Sequence, residues 1–369
     1  MLRLFLGFVA LLIVPFSVAA HSPSSSYLFI NEEQGELQLQ WDIALRDLEY
    51  VIGLDSNVDQ KISWNEVKQR RADITAYAYS NFNIERNEQP CLLVDKGIQV
   101  DNHTDGAYVV LHIQPQCEAR SGALSANYSL LFADDPDHRG IVLDQRNSES
   151  QSIYIASPDN QTVDLAEGKS ALENFVTFVK QGIWHILIGF DHILFVVTLM
   201  LPAVLLYKDK QWTAVTDLKP AMSSLFKVIT AFTIAHSITL SLATLEIVTL
   251  PSRWVESAIA LSVVLVAVNN IKPIFTHARW SIAFVFGLVH GFGFASVLGD
   301  LNLNSGSLLL SLLGFNAGVE IGQGLILLLL FPVAYILRKT ELYRFYILKG
   351  GSLVISLLAS IWLVQRVMV

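Results

Sequence analysis

The chain has 369 residues, 52% of them hydrophobic and only 16% charged; about 25% charged is usual for a soluble protein, which argues against a wholly soluble globule. The formal net charge of −8 is unevenly spread, with 24 Asp and Glu against 11 Lys and Arg in residues 21–170, and 9 against 13 in residues 171–369. An acidic water-soluble half thus precedes an apolar half with basic edges, and with no basic stripe to release counterions nothing points to nucleic acid as a partner.

Residues 1–20 read as a secretory signal peptide: Arg3, an apolar stretch Leu4–Val18, and the small-residue cleavage site Val18-Ala19-Ala20. Pro15 and the polar His21-Ser22-Pro23 that follow argue against a transmembrane helix here.

Residues 21–168 read as an extracytoplasmic β-rich, sandwich-like domain with a helical insert. Alternating runs predict strands at Ser26–Ile30, Leu37–Ile43, Ala107–Ile113, Leu124–Phe132 and Ser152–Ile155. The two cysteines, Cys91 and Cys117, both fall here, and in an oxidising compartment a disulfide between them is expected. The insert carries the twelve residues Asp55 to Glu66, spaced like an EF-hand loop. Asp55, Asn57 and Asp59 take ligand positions one, three and five, the Lys61 carbonyl seven, Ser63 nine and Glu66 twelve. Calcium needs six to eight oxygens around one point, which this spacing supplies. Leu45, Leu48 and Ile52 mark the entering helix. Gln60 replaces the usual turn glycine, so it must take positive φ at a cost of about 1 kcal/mol, and weak binding is expected.

Residues 175–369 predict a bundle of six transmembrane helices, at about 182–206, 224–247, 254–271, 281–298, 308–337 and 346–364. With the first span entered from outside, the loops alternate so that Lys208, Lys210, Lys219, Lys272, Arg279, Arg338, Lys339 and Arg344 lie inside, against Lys169, Lys180, Arg253 and Arg366 outside. The positive-inside rule supports that orientation in an inner membrane, with the exported domain and the C-terminus on the outer side.

Ionisable side chains at bilayer depth are costly and need partners or a purpose. Here they comprise His185, Asp191 and His192 in the first span, His236 in the second, His290 in the fourth and Glu320 in the fifth. On a continuous helix His185 and His192 share one face. Asn316, Glu320 and Gln323 form a polar stripe, with Gly314, Gly318 and Gly322 nearly opposite, free for close helix packing. Imidazole and carboxylate ligands suit nickel, cobalt, zinc, iron or copper(II); the same groups could form a proton relay.

The element His185-x5-Asp191-His192, opening a membrane span, resembles the signature of the HupE/UreJ family, with weaker matches at Ala235-His236-Ser237, Gly287-Leu288-Val289-His290-Gly291 and Gly318-Val319-Glu320. The resemblance covers roughly residues 180–365. It implies a small membrane permease for nickel or cobalt, with His185, Asp191 and His192 touching the ion and His290 and Glu320 contributing. The exported domain departs from the short members of the family and leaves the cargo open. The primary expectation is a divalent transition-metal transporter whose site combines His185, Asp191, His192, His236, His290 and Glu320. The alternatives are an intramembrane metal-dependent hydrolase, or a membrane scaffold whose exported domain binds a protein partner.

Overall fold

The computed structural model describes residues 24–368 apart from positions 104, 148–150, 167, 276–278, 295–297, 300 and 302. The expected signal peptide lies outside the described residues.

The chain opens on a hairpin of β1 (Ser25–Glu33) and β2 (Glu36–Ala44), turned at Gln34 and Gly35, both at positive φ. Three short helices follow, α1 (Leu45–Ile52), α2 (Trp64–Gln69) and α3 (Arg71–Ser80). Then come β3 (Phe82–Arg86), β4 (Gln89–Pro90), β5 (Leu92–His103), β6 (Gly106–Gln116), β7 (Leu124–Tyr128), β8 (Arg139–Asp144), β9 (Ser152–Ala156) and β10 (Thr162–Asp164). They form a six-stranded sheet, order β5-β6-β2-β1-β8-β9, and a four-stranded sheet, order β10-β7-β3-β4. Among the described residues only the β1–β8 pairing is parallel. Leu28, Ile30, Trp41 and Ile43 of the first sheet share one core with Phe82, Ile84, Ala126 and Tyr128 of the second. Cys91 and Cys117 are disulfide-bonded across the end of the β5–β6 hairpin.

Four of the five expected strands appear with wider bounds. The one expected over 124–132 stops at Tyr128, and Leu131 turns the chain at φ 64°. The alternation pattern missed β5, whose register shifts between Asp95 and Gly97. It also missed β8, a central strand buried on both faces that therefore shows no alternation. The second buried face has a specific cause. Tyr27, Phe29, Tyr108, Ile141, Leu143 and Ile153 join a hydrophobic cluster continued by Phe178, Leu298, Leu301 and Phe315 of the C-terminal half. Polar contacts reinforce this junction: the Asn174 side chain accepts from Ile153 N (3.2 Å) and donates to Gln151 O (2.9 Å), while Gln151 Oε1 accepts from Asn304 N (2.9 Å).

The C-terminal half comprises α4 (Ala171–Ile188), α5 (Phe190–Met200), a small hairpin of β11 (Leu205–Lys208) and β12 (Gln211–Ala214), α6 (Leu218–Thr244), α7 (Ser252–Ile271), α8 (Arg279–His290), α9 (Ser305–Leu337), a π-helical stretch Leu342–Gly350, and α10 (Gly351–Met368) running on from it. Among the described residues four helices are long and apolar enough to cross a membrane: α6, α7, α9 and the continuous Leu342–Met368. The other two expected spans are not continuous helices. The first is a pair, Ala171–Ile188 and Phe190–Val204, bent by 74°. The fourth is only the 12-residue α8, about 18 Å long, running into a 3₁₀ turn at Gly291–Phe294. Hydropathy counted the apolar residues correctly and could not see the breaks.

Close packing follows the glycines. A Cβ on Gly318 would lie 2.1 Å from the Val179 carbonyl, and one on Gly182 would lie 2.1 Å from that of Phe315. The α4 and α9 backbones therefore approach as only small residues allow. Basic side chains brace the flanks of the β11–β12 hairpin: Arg279 donates to Pro202 O (2.6 Å) and Arg338 to Val215 O (3.0 Å).

Candidate metal centre

The site forms where α4 breaks. Gly189 ends the helix and α5 restarts at Phe190, with Asp191 in its first turn. Asp191 Oδ1 accepts from the backbone N–H of His192 (2.9 Å) and from His192 Nδ1 (3.0 Å). The bend folds His185 back beside His192, with ring centroids 4.5 Å apart. The pairing expected from two turns of one helix face is thus real but has another origin. Asp191 orients His192 through these hydrogen bonds.

Two further histidines close in. His290, the last residue of α8, stands 5.3 Å from His192 between ring centroids. His236, in mid-α6, is buried and stacks within 6.0 Å of Phe232, whose ring also lies 5.3 Å from His290. Phe195 and Phe315 complete an aromatic surround, at 4.8 Å from His290 and 5.4 Å from His185.

The hydrogen bonds fix which nitrogen carries the proton on three of the rings. A carboxylate only accepts, so His192 Nδ1 donates to Asp191. Asn316 donates its amide N–H to Leu312 O (2.8 Å), which turns Oδ1 toward His236 Nδ1 (3.1 Å) as acceptor. Ser262 donates its hydroxyl to Ile259 O (2.6 Å), so it accepts from His290 Nε2 (3.0 Å). Nε2 of His192, Nε2 of His236 and Nδ1 of His290 are left buried, with no hydrogen-bond partner among the described residues. Each is a bare lone pair on a ring that a second group holds in place, the arrangement metal-ligating histidines use. Asn316 belongs to the polar stripe expected on this helix, but its pairing with His236, and Ser262 altogether, could not be read from the sequence, because nothing in the spacing marks which polar residue faces a histidine on another helix.

Glu320 is not drawn into the buried stripe. It stands exposed on α9, whereas Asn316 and Gln323 are buried. At 3.6 residues per turn it lies about 40° off Asn316, past the edge of the buried stripe. Ser237, beside His236, donates its hydroxyl to Thr233 O (2.7 Å). Among the described residues no three His, Cys, Asp or Glu side chains stand together as a metal-holding group; this holds for the histidine cluster and for the acidic loop alike.

That loop joins α1 to α2 as expected. Gln60 takes φ 65°, as does Val58 at 60°. Asp55, Asn57 and Asp59 accept loop N–H groups of Asp59, Gln60 and Lys61 at 2.8–3.2 Å, which curls their oxygens inward. Glu66 caps α2 with Ser63 and accepts from Ser56, and these hydrogen bonds hold its carboxyl down at about 2.

A family model described as HupE / UreJ protein matches residues 160–366, more than half of the chain. The chain belongs to the HupE/UreJ family, and its long apolar helices fit a multi-pass membrane protein of that nickel- and cobalt-related group. No curated protein matches the chain.

Proposed function

We propose that this protein carries a divalent transition-metal ion, nickel or cobalt before zinc, across an inner membrane. The observation that supports this most directly is the set of three buried imidazoles, His192, His236 and His290, each with one nitrogen hydrogen-bonded and the other bare. Imidazole suits these metals, and a neutral ring with a free lone pair is the state that binds. His185, across the bend, is the entry ligand, and Asp191 sets the His192 tautomer.

The bent α4–α5 pair and α8 with its 3₁₀ turn count as the first and fourth of six crossings. Broken helices of this kind line transport sites in other carriers. The exported domain and the C-terminus then lie outside, and Arg279, Arg338 and Arg344 lie inside. We assign the Asp55–Glu66 loop to calcium, with a bracing role in the exported domain.

The test is accumulation of radiolabelled nickel by cells expressing the protein. Wild type should take up the ion and His192→Ala should not; equal uptake by both would overturn the proposal.

A further inference from the structure

Three helices of the histidine site continue beyond it toward the β11–β12 hairpin. α5 runs from His192 toward that hairpin, α6 starts just after it, and α9 ends at Arg338, which bonds to Val215 beside it. His236 pairs with Asn316. Eleven residues nearer the hairpin on each helix, Leu225 and Leu327 line one small cavity, so α6 and α9 run antiparallel there. Phe195, Leu199, Phe232 and Gln323 also line it. Its volume is about 10 Å³, room for one water at most. Two of its walls are also walls of the metal site: Phe195 lies 4.8 Å and Phe232 5.3 Å from His290 between ring centroids. The constriction therefore adjoins the histidines.

Among the described residues Gln323 is the one polar side chain in that lining. It is 2% exposed, and its Oε1 has no hydrogen-bond partner among them. On α6 Thr233, three residues from His236 toward Leu225, is likewise buried with its hydroxyl unpartnered among the described residues. A buried polar group without a partner is rare and calls for a water, an ion or a functional role. An apolar constriction too narrow for a file of water, in turn, blocks ions until it widens.

We propose that this constriction is the inner gate of the transport path and that Gln323 is its polar station. When the walls part, the amide oxygen faces the ion leaving the histidines, where the rest of the lining offers it none. The gate rests on the transporter reading for its direction, whereas its hold on bound metal can be read without a membrane.

Purified full-length protein in detergent is loaded with radiolabelled nickel and mixed with excess chelator, and the label retained is followed in time. Leu225→Ala combined with Leu327→Ala widens the constriction and alters no polar group. Release should speed up about tenfold, because each truncation removes packing that closes the wall. Adding Gln323→Leu should give back most of that gain. Leu225→Val is the milder widening and should move release the same way if the double variant does not fold. In cells Gln323→Leu alone should lower the uptake rate at saturating nickel about tenfold, the step that one lost polar contact to a charged species brings. Release that neither widening changes overturns the gate, whatever the uptake. Release that speeds up but is indifferent to Gln323→Leu, with wild-type uptake by that variant, overturns the station. If release behaves as expected and wild-type cells take up no nickel, the constriction stands as the barrier beside the metal and the transporter reading falls. Protein that binds no nickel overturns both.

Discussion

Gly189→Ala should weaken metal binding without unfolding the protein. Gly189 sits at φ −69°, ψ 98°, a conformation alanine adopts freely, so the backbone does not resist the change. The added methyl does: its Cβ would stand 2.7 Å from His192 Nδ1, 2.8 Å from the His185 carbonyl and 3.2 Å from Asp191 Oδ1, where ordinary contact begins at 3.4 Å. The His192 ring must retreat by about 0.7 Å. Taken along the hydrogen bond, that stretches 3.0 Å to about 3.7 Å, beyond hydrogen-bond reach. Losing a hydrogen bond to a charged group costs about 1.5–3 kcal/mol, and outer-shell partners of ligating histidines are worth about 10–100-fold in affinity. The nickel dissociation constant, measured by titration calorimetry on purified full-length protein, should therefore rise about 10–100-fold. Far-ultraviolet circular dichroism should stay unchanged. A variant that keeps its fold and binds nickel within twofold of wild type would refute the account of the bend.

Asn316→Leu removes the acceptor of the His236 N–H and leaves it buried and unsatisfied. It should cost about 1–3 kcal/mol, read as a lower denaturation midpoint, and should also weaken nickel binding. In the N-terminal β-rich domain His138 is fully buried, bonded to Ser24 Oγ (2.5 Å) and Tyr128 OH (2.8 Å), and burial pushes its imidazole down to about 3. Because the folded value lies below the ordinary 6.5, the unfolded chain takes up the extra proton. Stability is whole above pH 6.5 and falls toward pH 3, at about 1.4 kcal/mol per unit; melting the protein at pH 7 and 4.5 should show the loss, and His138→Gln should reduce it. Calcium should raise the melting temperature of the N-terminal domain, and Glu66→Gln, which keeps the cap on α2 but drops the charge, should abolish the rise.

Much of this protein was legible in residue order. Local patterns suffice where the physics is local: apolar runs mark membrane crossings, alternation marks strands with one wet face, and the Asp55–Glu66 spacing marks its loop. Even Gln60 at positive φ follows from counting positions. The histidines could be named as a set because ionisable groups at bilayer depth stand out against their surroundings.

Tertiary structure decided which groups meet. Glu320 and Asn316 look equivalent on a helical wheel, yet only Asn316 faces His236, because the side of α9 that is buried depends on where α4 and α6 pack. The kink at Gly189 places His185 beside His192, and a count of apolar residues along the chain does not register a bend. Strand β8 lost its alternation because a second layer, the membrane helices, covers the sheet from behind. Period and composition describe one element at a time, whereas the pocket and the constriction beside it are made of side chains from elements far apart in the chain.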